Sequence, residues 1–486
     1  MRAEGSRWGL REQASTRFAV IRENPDLLLV ALLFLAMSVG GRSFSKSIEV
    51  GPIYITEILI GAAGLLALYR LRLSGSWTAL RRLPLIALAV IWALGAIATL
   101  RGLDFGISQI SNDIGLVDYT LVLPLFALVL SDRPRFEAMF SVLVTCGFLG
   151  MATYFVLFSI DQISGTADTV LEVVPVSYGL YISLAVVWIV ARMASGVPTP
   201  KWVAALVPIG LVLMNLSTVR SIWLVAIVAL GIVALLAPAG RRLRCIAAVV
   251  AAFAISMPAA LAVEHGINNV GGIESSGNSG EATGGSATAA GGDGGKTQIS
   301  QEITSLGGGD SGESANVSWR LAYWKELLSR VPSDPVLGVG FGQPAAFEWR
   351  DIKYDFRDDD PNTSFNVAGP HNSFVSWIYR LGVIGALALL WVMFVAVRNA
   401  FRGLRERDLS PPQRATLVSL VGMLAAGTVV AGFNEALTGP FLGIFFWAPL
   451  AMLLLWPVVG PGARDDDAVD ELSPDAGNQR PEAKPA

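Results

Sequence analysis

Residues 374–397, FVSWIYRLGVIGALALLWVMFVAV, directly follow Pro370-His371-Asn372-Ser373, and their reading decides the fold class. The run carries one charged residue, Arg380, in 24 positions. As an α-helix it extends about 36 Å, enough to cross the hydrocarbon core of a bilayer. Apolar blocks of this kind recur along the chain. They lack the amphipathic spacing of soluble helices or strands, so they face lipid or one another. Composition agrees: 53% of the 486 residues are hydrophobic and 15% are charged, against roughly 25% charged in soluble domains.

Working outward by span length, membrane segments are predicted near 26–42, 52–70, 83–100, 115–131, 136–159, 173–194, 202–217, 219–237, 244–264, 371–397, 412–433 and 437–457. The expected fold is an all-α polytopic membrane protein of about 12 transmembrane helices, with one large extracytoplasmic loop between spans 9 and 10. Lys and Arg gather in alternate short loops, at Arg70, Arg72, Arg81 and Arg82, at Arg133 and Arg135, and at Arg192 and Lys201. The same holds at Arg241, Arg242 and Arg244, and at Arg398, Arg402, Arg405 and Arg407. The positive-inside rule places those loops and both termini in the cytoplasm. The Arg-rich segment 1–25 has no cleavable signal pattern, so the first apolar block reads as a retained span. Spans 1–9 then occupy 26–264 and spans 10–12 occupy 371–457. The acidic, Pro-containing tail 458–486 reads as disordered.

The outer loop divides by composition. Residues 265–315 are rich in Gly, Ser, Ala and Asn, without Phe, Trp or Tyr. Such a stretch buries too little apolar surface to offset chain entropy and reads as a flexible insert. From 316 to 370 the character changes. Trp319, Tyr323, Trp324, Leu327, Leu328 and Val331 have helical spacing, with Ser318 as the expected cap. Pro332, Asp334 and Pro335 end that helix. Gly338-Val339-Gly340-Phe341-Gly342 follows as a Gly-rich turn and is not a dinucleotide fingerprint, because no strand–helix unit surrounds it.

Several functions are excluded early. The net charge of -3 gives no reason to expect a nucleic-acid partner. Cys146 and Cys245 form no disulfide framework, and two histidines, His265 and His371, exclude a multi-histidine metal site. No cofactor or metal is expected, and no nucleotide loop, zincin helix or nucleophile elbow is present. The run Asp358-Asp359-Asp360 reads as solvated charge.

The remaining candidates sit at the outer surface. His371 is expected in the first turn of span 10, where the helix dipole disfavours the imidazolium and the same end attracts anions. Arg220, at a tight outer hairpin, runs against the orientation signal; headgroup snorkelling is its plain alternative. Arg320 lies on the Trp-rich loop helix, where stacking on Trp324 is the alternative. Arg380, about 13 Å into its span by helical rise, reads as a structural pairing. Glu57, Asp118 and Glu435 are possible partners for the arginines.

The stretch His371-Asn372-Ser373 through Gly382-Val383-Ile384-Gly385 resembles the histidine motif of the O-antigen ligase and O-antigen polymerase superfamily. That motif is His, then Asn, Ser or Gln, nine variable residues, Gly, two more, and a small residue. Trp319-Arg320-Leu321-Ala322-Tyr323-Trp324, with Pro335 to Gly342, resembles the family's large outer loop. Ser217-Thr218-Val219-Arg220-Ser221 is similar to the hairpin that supplies the family's other essential arginine. The likeness covers roughly 202–385, and the insert at 266–315 exceeds what the family requires.

The resemblance implies an inverting, metal-independent glycosyltransferase acting outside the cytoplasmic membrane. Its donor is a glycan on a polyprenyl-diphosphate carrier, and its acceptor a hydroxyl of a glycan or lipid, with membrane lipids around both. The expected catalytic residues are Arg220 and Arg320, suited to clamp a diphosphate, and His371, which accepts the hydroxyl's proton or orients that hydroxyl. Gly382 and Gly385 would permit close helix approach beneath the site. Ligase and polymerase remain open alternatives. The rival class is a transporter or flippase of lipid-linked glycans, which predicts charges and broken helices at the midplane.

Overall fold

The computed structural model describes residues 15–45, 49–50, 53–74, 78–164, 175–217, 219–271, 312–343, 347–349, 352–354 and 370–459. Among these residues the chain is almost wholly helical. In order come α1 (Ser15–Glu23), α2 (Pro25–Ser45), α3 (Ile55–Ser74), α4 (Thr78–Arg81), α5 (Leu85–Gly102) and α6 (Ile107–Asp118). Next are α7 (Val122–Val129), α8 (Arg133–Ser164), α9 (Pro175–Ser195), α10 (Lys201–Ala204), α11 (Leu206–Leu216), α12 (Arg220–Leu236) and α13 (Ala239–Gly271). Last are α14 (Gly312–Arg330), α15 (Ser373–Leu404), α16 (Pro411–Phe433) and α17 (Pro440–Val459). Three 3-10 turns (Leu103–Phe105, Tyr119–Leu121 and Val331–Ser333) and two short antiparallel hairpins, β1 (Glu49–Val50) with β2 (Ile53–Tyr54) and β3 (Phe347–Trp349) with β4 (Ile352–Tyr354), complete the described elements.

This is a multi-pass helical membrane protein. Among the described residues eight helical segments are long and apolar enough to cross a bilayer. The pair α1–α2, bent by 113°, brings the number to nine if it is one span. The predicted segments 202–217 and 219–237 form shorter apolar helices, and α3 carries Glu57, Arg70 and Arg72.

Packing follows the small residues, as expected where lipid gives helices no hydrophobic reason to associate. A Cβ on Gly147 of α8 would meet the Ala185 backbone nitrogen at 2.5 Å, and one on Gly422 of α16 would meet Val187 at 2.7 Å and Val233 at 2.8 Å. These glycines bring α8, α9, α12 and α16 into contact. The last helix, α17, is the centre of the bundle, with 89% of its span buried. At the other extreme, α13 is 11% buried.

Two contacts fix which helix ends lie together. Tyr181, near the start of α9, donates its hydroxyl to the Phe441 carbonyl at the start of α17. Gly179, two residues earlier, meets Ile222 at the start of α12. The starts of α9, α12 and α17 therefore share one end of the bundle. Ser373 joins α15 to that end by donating from its backbone nitrogen and hydroxyl to the Asn434 carbonyl.

Several expectations for the outer loop need correction. Helix α13 runs on to Gly271 and α14 begins at Gly312, so the helices take residues from both sides of the predicted insert. Ser318 is inside α14 rather than its cap. Glu313 and Ala315, both good helix formers, extend the helix upstream of it. The expectation for residues 272–311 and the Asp358–Asp360 reading lie outside the described residues, as does the tail from 460.

The Gly-rich segment 338–342 is more than a surface turn. Gly338, Gly340 and Gly342 have φ of 69°, 94° and 68°, and Phe341 is fully buried in the main core. The segment threads between α5 and α15: Phe341 N donates to the Ala98 carbonyl at 3.1 Å, and Gly340 N to the Arg380 carbonyl at 3.1 Å. Helix α15 accommodates it by breaking at Gly382 (φ 70°), which frees the Tyr379 carbonyl for Val339 N. A Cβ on Gly382 would strike the Val336 carbonyl. Gly382 thus serves a loop that inserts beside the helix, not the expected helix–helix approach.

Candidate active site

The site is built on the start of α15. Asn372 caps that helix, its Oδ1 accepting from Phe374 N at 3.0 Å and Val375 N at 3.1 Å. Side-chain capping satisfies amides that the helix cannot pair internally. Ser373 binds the loop between α16 and α17, giving its proton to the Asn434 carbonyl and accepting from Leu437 N at 3.1 Å. His371 is therefore anchored by the residues that follow it.

His371 does not lie in the first helical turn, as the sequence suggested. It precedes the cap, and its φ of 50° makes it the one non-glycine residue with positive φ among the described residues. The strained conformation turns the chain sharply between buried Pro370 and the cap. Trp324 holds Pro370 from above, donating its indole N–H to the Pro370 carbonyl at 2.6 Å.

Helix α14 forms the wall. Trp319, Tyr323 and Leu327 are buried against Val375 and Tyr379 of α15 and Phe347 of β3, and burying Leu327, Phe347 and Val375 stabilises the docked wall by about 1.5–3 kcal/mol each. Its docking sets Trp319 beside His371, ring centroids 6.4 Å apart and inclined at 61°. Arg320, the next residue, is half-buried and donates from Nη1 to the Phe433 carbonyl at 3.2 Å.

Electrostatics keep His371 neutral. Burial lowers its pKa from 6.5 to about 4, and the Arg320 guanidinium adds to the effect. The cause differs from the helix dipole expected from sequence, but the result is the same: a ring with a free lone pair at neutral pH. Burial also lowers Arg320 from its usual value. A cation without full hydration is one that gains most from an incoming anion.

Arg220 is the first residue of α12, two residues before Ile222. The contacts of Ile222 with Gly179 put it at the same end of the bundle as Phe433, Asn434 and Ser373. The structure thus brings Arg320 and His371 together and sets Arg220 on their side of the bundle.

Arg380 is structural, as read from sequence, but its partner was missed. Nη2 pairs with Asp113 of α6 at 3.1 Å, and Nη1 donates to the carbonyls of Gln343 at 2.7 Å and Gly340 at 3.3 Å. Asp113 also accepts from Gly342 N at 2.8 Å. The pair staples the Gly-rich segment to α6 and α15. Arg101 supports the same segment, reaching Gly338 O and Asp334, both at 2.7 Å. Of the suggested acidic partners, Glu57 accepts from Tyr54 N, Thr56 and Tyr119. Glu435 accepts from Ser376 Oγ at 2.7 Å, and burial pushes its carboxyl up to about 7. The sequence signalled the need for a partner but not its identity: a charge inside an apolar region needs an opposite charge at similar depth.

Among the described residues no group of three or more His, Cys, Asp or Glu has the arrangement to hold a metal ion. What the site offers is one cation, Arg320, beside a neutral base, under an aromatic wall.

Comparison with known proteins adds the family. No curated protein matches the chain. The family model described as O-antigen ligase matches residues 204–390, a stretch that contains Arg220, Arg320 and His371. That stretch matches an O-antigen ligase domain, which supports a relation to the O-antigen ligase/polymerase superfamily of membrane glycosyltransferase-like enzymes.

Proposed function

We propose that the protein transfers a glycan from a polyprenyl-diphosphate carrier to an acceptor hydroxyl at the outer face of the bacterial cytoplasmic membrane. The observation that carries the reading is the neutral, anchored His371 beside Arg320. The acceptor oxygen attacks the anomeric carbon as the bond from that carbon to the diphosphate oxygen breaks. The electron pair leaves with the diphosphate, and the hydroxyl proton passes to His371. Back-side attack inverts the anomeric configuration.

Arg320 and Arg220 meet the negative charge that develops on the leaving diphosphate, in a site where partial desolvation strengthens each contact. Both termini and the Arg-rich short loops lie in the cytoplasm in this reading, with twelve crossings as the sequence suggests. The carrier's lipid tail stays among the spans while its head enters the loop-covered site. The reaction needs no divalent cation, since fixed guanidinium groups take that role.

Two tests separate the parts of this reading. Glycan transfer from purified lipid-linked donor should continue in excess chelator; its abolition would contradict the metal-independent step. Arg320→Ala and Arg220→Ala should each lower transfer by about 10²-fold or more, the scale of losing one transition-state charge contact. Folded variants with near wild-type turnover would remove these arginines from the site.

The pH profile tests His371. A base lowered to about 4 is already deprotonated at neutral pH, so kcat/KM should stay level as pH falls through 6.5 and drop only on approach to 4. Arg320→Gln removes the smaller of the two causes, so the acid limb should move to higher pH without reaching 6.5. An acid limb near 6.5 in the wild-type protein would contradict the buried, neutral ring.

A further inference from the structure

The opposite end of the bundle carries a second feature that glycan transfer does not use. Between residues 173 and 263 the chain has no Asp or Glu. In that interval five cations lie at the end of the bundle away from His371. Arg192 is in the last turn of α9, Lys201 opens α10, and Arg241, Arg242 and Arg244 stand at the start of α13. Among the described residues none of the five forms an ion pair with a carboxylate. Arg192 lies 4.9 Å over the Trp188 ring and donates to the Pro198 carbonyl.

On the same elements lies an apolar cavity of about 190 Å³ between α9, α10, α11, α12 and α13. Val190, Val207, Leu230, Cys245, Ala248 and Ala252 are among its lining residues. Met193 and Cys245 on the lining directly follow Arg192 and Arg244 in sequence. Arg241 reaches from α13 back to α9, its guanidinium so close over Gly196 that a Cβ there would collide with Nη1. Only 11% of α13 is buried, so the cavity is walled on one side by a helix that packs on α11 and α12 and exposes its other faces. The Asn215 amide donating to Ser256 Oγ at 3.1 Å is one of its few polar ties.

We propose that this cavity is a binding site for one anionic diacyl phospholipid. An acyl chain fills the apolar space between α13 and its neighbours, and the phosphate lies among Lys201, Arg241 and Arg244. The chemistry argues for a lipid rather than a free anion. The cavity offers no polar lining for a soluble ligand, and the unpaired cations stand on the elements that line it. Exposed Trp202, 70% accessible, lies next to Lys201 as an indole does at such an interface. Basic pockets between spans recognise anionic headgroups in this way, and each Lys or Arg near the surface contributes about fivefold in binding. The bound lipid would complete the packing of α13, which leads into the outer loop.

The test is native mass spectrometry of the full-length protein in neutral detergent, with phosphatidylglycerol or phosphatidylcholine supplied. Wild type should retain one phosphatidylglycerol in clear preference to phosphatidylcholine. Arg241→Gln/Arg244→Gln should cut that preference by about 25-fold. Ala248→Phe, which fills the cavity, should reduce retention of both lipids; Ala252→Leu serves if the first variant does not fold. As a control, Arg398→Gln/Arg402→Gln removes the same charge at the same end of the bundle, away from the cavity, and should leave retention unchanged. Equal retention of the two lipids by wild type would overturn the proposal. So would an equal loss in the control, or displacement of phosphatidylglycerol by inorganic phosphate.

Discussion

His371→Asn is expected to lower glycan transfer by about 10²- to 10⁴-fold, the usual contribution of a positioned general base, with little change in thermal stability. Asparagine is the informative substitution because the position demands a left-handed backbone, with φ of 50°. Asn enters that region more readily than most residues, so the turn into the Asn372 cap survives. What it lacks is a basic ring nitrogen. His371→Ala combines the loss of the base with added backbone strain of about 1 kcal/mol, and reading the two variants together separates chemistry from folding. Comparison of turnover with unfolding temperature in the same detergent checks this. A His371→Asn protein that is unstable and inactive in equal measure would make His371 a structural residue.

Arg380→Met is expected to produce the largest loss of stability of the substitutions considered. It leaves Asp113 buried without its cation, and breaking such a pair costs about 3–5 kcal/mol. The Gly340 and Gln343 carbonyls lose their donor as well, so the inserted segment loosens. Replacing both partners, Arg380→Met with Asp113→Leu, should recover much of the stability, because no unpaired charge remains. Thermal unfolding of the two proteins decides the point. If Arg380→Met abolished transfer at unchanged stability, Arg380 would belong with the reacting groups and not with the scaffold.

The parts of this protein legible in the sequence are those set by local composition. Membrane segments are continuous apolar runs, so eight of the predicted segments fall on helices of the described residues long and apolar enough to cross a bilayer, and a ninth, 26–42, does if the bent pair α1–α2 is one span. The start of span 10 beside His371 was readable because helix starts depend on the residues beside them. Arg380 announced a need for pairing by its depth alone. The parts not legible depend on contacts between segments distant in the chain. Nothing near Arg380 names Asp113, 267 positions earlier. Gly338 to Gly342 read only as a Gly-rich turn because the groove they enter is made by Ala98 of α5 and the break at Gly382 of α15. His371 was placed one step too far into its helix, since the same residues can start a helix with the histidine inside or outside the cap. Its neutral state was anticipated for the wrong reason; burial and Arg320 become visible only when α14 is docked.

The site itself shows the same division. Arg220 stood out by running against the orientation signal, and Arg320 and His371 by their position and by the resemblance to the family's motifs. Their common end of the bundle required Tyr181, Gly179 and Ser373 to tie α9, α12, α15 and α17 together.

The most direct measurement places the purified protein in lipid vesicles with purified lipid-linked glycan donor and an acceptor, and follows both products. Glycan transfer predicts a new covalent acceptor–glycan bond and an equal amount of released polyprenyl diphosphate, both lost in His371→Asn. Passage of intact donor across the bilayer, with no bond broken, would contradict the account and make the protein a carrier.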